Sequence, residues 1–454
     1  MKKISLVALA LCAGVPLLAD GPTVQVYGIL DTGVAHVERS QSFSSDFVVG
    51  TNPFTQAGRV TGATGMFDGG LSQTRFGIKA STDLVDGWKA VATLESAIMT
   101  SSGRIGNCTE SLAENGGKSV AAASAISGQL FARGAFVGVT NPTYGSLTFG
   151  RQQNLMFDIM IPFDANGMAQ LFTPIGFSGA FLGGGVTENS RVDSSVKYRV
   201  KIQDFTVSAL TKVSGTKGPD TTAATACNEA TVEYSHGAFG AYVGYQVLNN
   251  GITYAANANG SVVTVTTPTG TATVASQGTI KATVYNTTNV NAGAKYNFGS
   301  VLVSLGYQQI KFEDPAAGDA AYFSGLAAGS QYAYGQQIAS YTVTAIGPND
   351  KKQTLTSLTA AWDVTSKFKL SGGIYSVKID DYSVNAPTSA KGSSTNRYVS
   401  LIADYAVTKA FDIYAGEMNV AASGNAVNAA NGWYPGGDDT TKNNVLGVGL
   451  RYKF

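Results

Sequence analysis

Residues 443–454, at the end of the chain, read NNVLGVGLRYKF. Taken two at a time, Leu446, Val448, Leu450, Tyr452 and Phe454 fall on one face, and Gly447, Gly449, Arg451 and Lys453 on the other. That is the period of a strand with one apolar and one polar side. Residues 191–200 repeat the split: Val192, Val196, Tyr198 and Val200 stand opposite Arg191, Asp193, Ser195, Lys197 and Arg199. The pattern runs for about ten residues, the length a tilted strand needs to cross a bilayer's hydrocarbon. In a soluble sandwich the apolar face fills a core and the polar face looks out. A transmembrane barrel inverts this, with apolar residues against lipid and polar ones against a wet interior.

Composition favours the second arrangement. Only 13% of the 454 residues are charged and 54 are glycine, which argues against the roughly three ordinary soluble domains such a length allows. Hydrophobic residues make up 44%, too many for a disordered chain. Lys plus Arg is 31 and Asp plus Glu is 30, so no charge excess points to nucleic acid. Past residue 19 no apolar run approaches the roughly 18 residues of a spanning helix, which excludes a helical membrane protein.

The first 19 residues read as an export signal: Lys2 and Lys3 precede an apolar stretch from Ile4 to Leu11, and Leu17-Leu18-Ala19 ends in a small residue. The mature chain is then one domain over residues 20–454. Leu11 before Cys12 argues against a lipidated N-terminus. Cys108 and Cys227 remain, both in Gly/Ser/Thr/Asn-rich segments that read as loops. In an oxidising compartment a disulfide between them is the leading reading, with two unpaired loop thiols as its alternative.

Read at period two, the chain resolves into sixteen candidate strands, roughly at 23–35, 71–83, 86–99, 129–140, 145–152, 190–200, 203–213, 228–236, 238–248, 289–298, 300–311, 352–364, 366–378, 395–406, 410–421 and 443–454. Short connections such as Leu84-Val85, Asn141 to Tyr144, Lys201-Ile202 and Gly299 alternate with the long segments 36–70, 100–128, 153–189, 249–288 and 312–351. An even count lets the last strand pair antiparallel with the first and leaves no open edge in lipid. Trp88, Tyr198, Tyr296, Phe298, Tyr307, Tyr405 and Tyr452 fall near expected strand ends, where amphipathic rings anchor at membrane interfaces.

Several stretches carry a resemblance. VQVYGILDTGV, TRFGIKASTDLVDGWKAVATLES, FARGAFVGVTNPTYGSLTFGRQ and the terminal GVGLRYKF resemble the trimeric general porins of Gram-negative outer membranes, most closely the betaproteobacterial branch. The similarity is dense over residues 23–152 and thinner beyond. It implies a sixteen-stranded barrel, a homotrimer, a third long loop folded into the lumen, and passive diffusion of ions and small hydrophilic solutes. It also implies that Phe454, as a terminal aromatic residue, is read by the barrel-insertion machinery, and that outer-membrane lipid and lipopolysaccharide surround the barrel.

The family's third loop falls on 153–189, where FDIMIPFDANGM carries Asp158 and Asp164. The family's wall arginines fall on Arg75, Arg133 and Arg151. Parity supports two of these: Arg75, Gly77 and Lys79 share a face opposite Phe76 and Ile78, and Arg133, Ala135 and Val137 lie opposite Phe136. Arg151 shares parity with Leu147 and Phe149 and must lie beyond the lipid-facing stretch. Asp31, Lys79 and Glu95 are further candidate lumen charges. Opposed charges across a narrow section orient polar solutes and penalise apolar ones. Three arginines against two carboxylates give a weak anion preference.

No enzyme, metal or cofactor chemistry stands out. His36 begins an expected loop and His236 precedes Gly237 in an expected turn, with no nucleophile arrangement around either. Two histidines and two mature cysteines supply no metal-ligand cluster. The competing reading is a substrate-specific channel or a surface adhesin on the same barrel, for which Tyr322, Tyr332, Tyr334 and Tyr341 in one long loop are the motive.

Overall fold

The computed structural model describes residues 21–39, 62–101, 103, 105, 130–176, 191–213, 226–257, 262–267, 270–275, 279–313, 340–345, 351–383, 391–424 and 440–454. They form a closed antiparallel barrel of sixteen strands. These are β1 (Thr23–Arg39), β2 (in two pieces, Gly62–Asp68 and Arg75–Asp83), β3 (Lys89–Ala97), β4 (Gly134–Asn141), β5 (Gly145–Gln153), β6 (Arg191–Ile202), β7 (Phe205–Lys212) and β8 (Ala226–His236). They continue as β9 (Phe239–Asn257), β10 (Thr279–Asn297), β11 (Val301–Glu313), β12 (Lys351–Asp363), β13 (Phe368–Ser383), β14 (Lys391–Ala406), β15 (Phe411–Gly424) and β16 (Thr440–Lys453).

Each strand pairs with its neighbours in sequence, and β16 closes onto β1 in the register Asp31↔Arg451, Val34↔Val448. The last residue completes the seam: Phe454 N donates to Gly28 O at 3.1 Å and Gly28 N to Phe454 O at 2.9 Å. No wall strand is left with an unpaired edge, as lipid requires.

The alternation sorts as expected. Val34, Leu305, Leu358, Ile374, Leu401 and Val448 are all about half exposed or more on the outer surface, although each is apolar. Near the short turns Phe205, Phe239, Tyr296, Phe298, Trp362, Tyr405 and Tyr452 are likewise exposed, and Trp88 stacks on Tyr144 with centroids 5.9 Å apart. Tyr307, expected near a strand end, lies midway along β11. One outward position breaks the apolar band: Glu417 is exposed between Leu401 and Leu446, its carboxylate accepting from Asn419 Nδ2 at 2.8 Å. Substituting Leu358, which sits between Leu305 and Ile374, with arginine is expected to cost about 2–4 kcal/mol inside such a band. Chemical denaturation followed by tryptophan fluorescence in detergent checks it.

Several boundaries differ from the sequence reading. The second strand, expected over 71–83, is broken by residues 69–74 and resumes as Gly62–Asp68. β9 and β10 run far past their expected limits, and a hairpin (Val262–Thr267 with Gly270–Ala275) plus a strand (Ser340–Ala345) lie in segments read as loops. Thr- and Val-rich loop sequence is itself strand-forming. The turn expected at Lys201-Ile202 falls at Gln203-Asp204, where Gln203 has φ 54°. His36 lies within β1.

Candidate functional site

Sixteen strands enclose more space than their inward side chains can fill. The segment after β5 enters that space and lies against the inner wall. It opens with a short helix α1 (Leu155–Met160), capped by Asn154, whose Oδ1 accepts from Phe157 N at 2.7 Å. Leu155 and Met156 are buried against Val192, Leu210, Cys227 and Leu248 on β6 to β9. Glu229 on β8 receives the first helical N–H, from Leu155 at 2.5 Å, and Gln246 Nε2 at 2.8 Å. Farther on, Lys295 Nζ donates to Pro162 O at 2.9 Å, and Phe163 meets Tyr242 edge-on at 4.6 Å. Ala165 N reaches Thr359 Oγ1 at 2.9 Å on β12, Asn166 Nδ2 reaches Tyr375 on β13, and Phe172 O takes Ser400 Oγ on β14. The loop thus follows the wall from β7 to β16. Behind it lies the apolar core of the molecule, including Ile159, Met160, Leu171, Phe172, Tyr375, Tyr414 and Met418.

The charged row stands on the other part of the wall, on β2 to β6. Glu95 on β3 is its centre. Its carboxylate lies 2.7 Å from Arg133 Nε and 3.7 Å from Arg75 Nε, and accepts from Tyr27 OH at 2.9 Å. Arg191 Nε donates to Arg133 O at 2.8 Å, Arg151 Nε donates to Ala132 O at 2.7 Å, and Arg151 Nη1 meets Asp193 at 2.5 Å. Lys197 on β6 pairs with Asp158 of α1, which joins the row to the loop. Lys79 extends it, Nζ lying 4.4 Å from the Tyr27 ring centroid. Arg75, Arg133, Arg151, Arg191 and Lys197 face Glu95, Asp158 and Asp193. With Lys79, six cations against three carboxylates leave the row net positive.

All three expected wall arginines are in the row, but two arrive by a different route. On β4 the odd positions face out, Val137 being exposed and paired with outward Phe149, so Arg133 does not share an inner face with Val137. It precedes β4, in a bend that turns its side chain inward. Arg151 follows Gly150, which has φ 132°, at a register shift between β5 and β6. This bulge moves Arg151 off the outward parity of Leu147 and Phe149. The same irregularity, with Ser194 at φ 51°, turns Val192 inward onto α1, where simple alternation put it on the outer face.

The carboxylates divide. Asp158 and Glu95 are partners of the cationic row. Asp164 is buried and consumed locally, accepting from Met168 N at 2.7 Å, Asn166 N at 3.3 Å and Tyr375 OH at 3.0 Å. Burial holds its carboxyl above the ordinary value, and these hydrogen bonds offset part of that shift. Asp31 is likewise buried beneath residues 69–74. Neither is a charge presented to the lumen. Cys227 lies in β8 and not in a loop, as a buried free thiol donating to Glu229 Oε1 at 3.2 Å; Cys108 lies outside the described residues. Arg191, Asp193, Lys197 and Glu229 were not assigned to the site from sequence. The first three carried a signal, a charged face immediately after the long loop.

A family profile described as Gram-negative porin matches residues 5–351. An outer membrane porin protein of Bordetella pertussis is 31% identical over 211 residues, a match spanning 44% of this chain and 44% of that one. Among solved structures, the anion-selective porin from Comamonas acidovorans superposes with a TM-score of 0.58 at 18% identity, covering 95% of this chain and 100% of that one. Outer-membrane expressed OmpT of Vibrio cholerae gives 0.55 at 17%, covering 96% and 99%. These likenesses agree with the barrel fold, and the profile, which matches more than half of the sequence, shows that the chain belongs to the Gram-negative porin family.

Proposed function

We propose that this chain is a general diffusion porin of the outer membrane, a water-filled channel for ions and small hydrophilic solutes with a weak preference for anions. It acts as a channel and not as an enzyme. The observation that carries the reading is the charged row on β2 to β6, six basic side chains against three carboxylates, with Arg133, Arg151 and Arg191 themselves largely buried in it. Of the two carboxylates among the loop's described residues, Asp164 is withdrawn into the loop and Asp158 reaches the row. A net positive narrow section lowers the energy of an anion and raises that of a cation.

The N-terminal 19 residues are removed on export, leaving residues 20–454 as one barrel whose third loop, about 153–189, sets the aperture. Phe454 at the β16–β1 seam is the signal for the insertion machinery, and lipid and lipopolysaccharide surround the band. The assembly is a homotrimer. Two things support that reading: OmpT of Vibrio cholerae, of the same fold with a TM-score of 0.52, has a trimer form, and Glu417 puts a carboxylate within the outer apolar band. Protein covers such a group at lower cost than lipid does.

Planar-bilayer recording on detergent-extracted protein tests the proposal. Insertion is expected to raise conductance in groups of three equal steps, and a salt gradient to give a small reversal potential on the anion side. A cation-side potential overturns the selectivity, and absence of conductance overturns the channel.

A further inference from the structure

Between Asp68 and Arg75 the second strand leaves the wall. The register gives the reason: Thr32 pairs with Asp68 and Ile29 with Arg75, so two residues of β1 stand opposite residues 69–74. The surplus cannot remain in the sheet. It turns inward, and Leu71 joins the core with Leu171 and Phe172.

One residue holds this insertion. Asp31 O accepts from Gly69 N at 2.7 Å and from Thr74 Oγ1 at 2.8 Å, and Asp31 N donates to Thr74 Oγ1 at 3.0 Å. Its carboxylate accepts from three successive N–H groups, Gly70 at 3.0 Å, Leu71 at 3.0 Å and Ser72 at 2.7 Å. The phenol of Tyr414, across the seam on β15, donates to the same carboxylate. The insertion passes the constraint to both sides of the pore. Gly70 O accepts from Leu171 N at 3.0 Å, fixing the far end of the constriction loop. Residue 75, where the chain rejoins the wall, is the first arginine of the charged row.

We propose that Asp31 is a positioning residue of the constriction. It acts through residues 69–74 on Arg75 and on the loop at Leu171, and ions in the channel do not sense its charge. This rests on the channel reading above and deepens it. The donor set is specific for a carboxylate: an asparagine in its place would turn an N–H₂ group toward backbone N–H donors in either orientation.

The experiment compares wild type, Asp31→Asn and Tyr414→Phe in planar bilayers under a salt gradient. Neither variant is expected to shift the reversal potential toward anions. Loss of the carboxylate's hydrogen bonds is expected to make partial closures at fixed voltage roughly tenfold more frequent in Asp31→Asn, and loss of the single phenol bond about threefold more frequent in Tyr414→Phe. A reversal potential shifted toward anions with unchanged closures would make Asp31 a sensed lumen charge and overturn the proposal. Unchanged behaviour in both respects also overturns it. Should Asp31→Asn not assemble, Tyr414→Phe, which removes one oxygen, decides alone by the same two readouts. A wild type without conductance refutes the channel reading itself, whereas a conducting wild type with silent variants refutes only this inference.

Discussion

Replacing Arg133 with glutamate is expected to move the ion preference of the channel away from anions and toward cations. Arg133 holds Glu95 at 2.7 Å, while the guanidinium of Arg75 stands at 3.7 Å from that carboxylate. The substitution therefore removes one positive charge, adds one negative charge, and leaves Glu95 with a like-charged neighbour. A unit charge is worth about 1 kcal/mol at 4 Å even in water, so a two-charge change is expected to lower the anion-to-cation permeability ratio by about tenfold or more at low salt. The effect should shrink as salt approaches molar concentrations, because exposed charges are then screened within a few ångströms. Arg133→Gln is expected to move the reversal potential in the same direction by about half as much on a logarithmic scale. Reversal potentials in graded KCl measure both. If the glutamate variant conducts normally and keeps the wild-type potential, the row on β2 to β6 does not control selectivity.

The barrel was legible in the sequence because its cause is local. Each strand must show lipid one face, and Leu446, Val448 and Leu450 announce that face without reference to any partner. The lumen was less legible because its side chains are placed by departures from alternation. Arg75 obeys parity, and its guanidinium stands beside Glu95. Arg133 and Arg151 were placed by family likeness, and their inward turn comes from a bend before β4 and from Gly150 with its positive φ. A period-two count cannot register an extra residue that shifts the phase. Asp164 and Asp31 show the opposite limit. A carboxylate on a polar face reads as a solvent charge unless its donors are known, and theirs are backbone N–H groups of turns that sequence does not position. Arg191 and Lys197 lay on a face already recognised as charged, and only the path of α1 shows that this face borders the constriction.

Phe172→Ala is expected to detach the far end of the described part of the inserted loop while leaving the barrel intact. The ring is wholly buried, and its outer end lies against the wall where Gly416 offers no side chain: a Cβ there would stand 2.9 Å from three of its atoms. Tyr414 meets it edge-on at 6.3 Å. Truncating so enclosed a phenylalanine typically costs about 3–5 kcal/mol. The wall does not bear that loss, because its strands are held by ladder hydrogen bonds that the ring does not touch. The loop bears it. Hydrogen bonds that remain at this end include Leu171 N to Gly70 O at 3.0 Å and the bond from Ser400 to Phe172 O, beside the packing of Leu171 on Leu71, and single hydrogen bonds contribute only about 0.5–1.5 kcal/mol each. The near end, held by Glu229 at Leu155 and by the packing of Met156, should stay in place, so the loop swings from α1. Liposomes carrying the variant are expected to swell with sugars too large for the wild type, and limited proteolysis to cut between Asp164 and Thr173. The strand signal in circular dichroism should melt as before. An unchanged size cutoff would mean that the loop is held by its polar contacts and that the apolar seat beneath Phe172 contributes little.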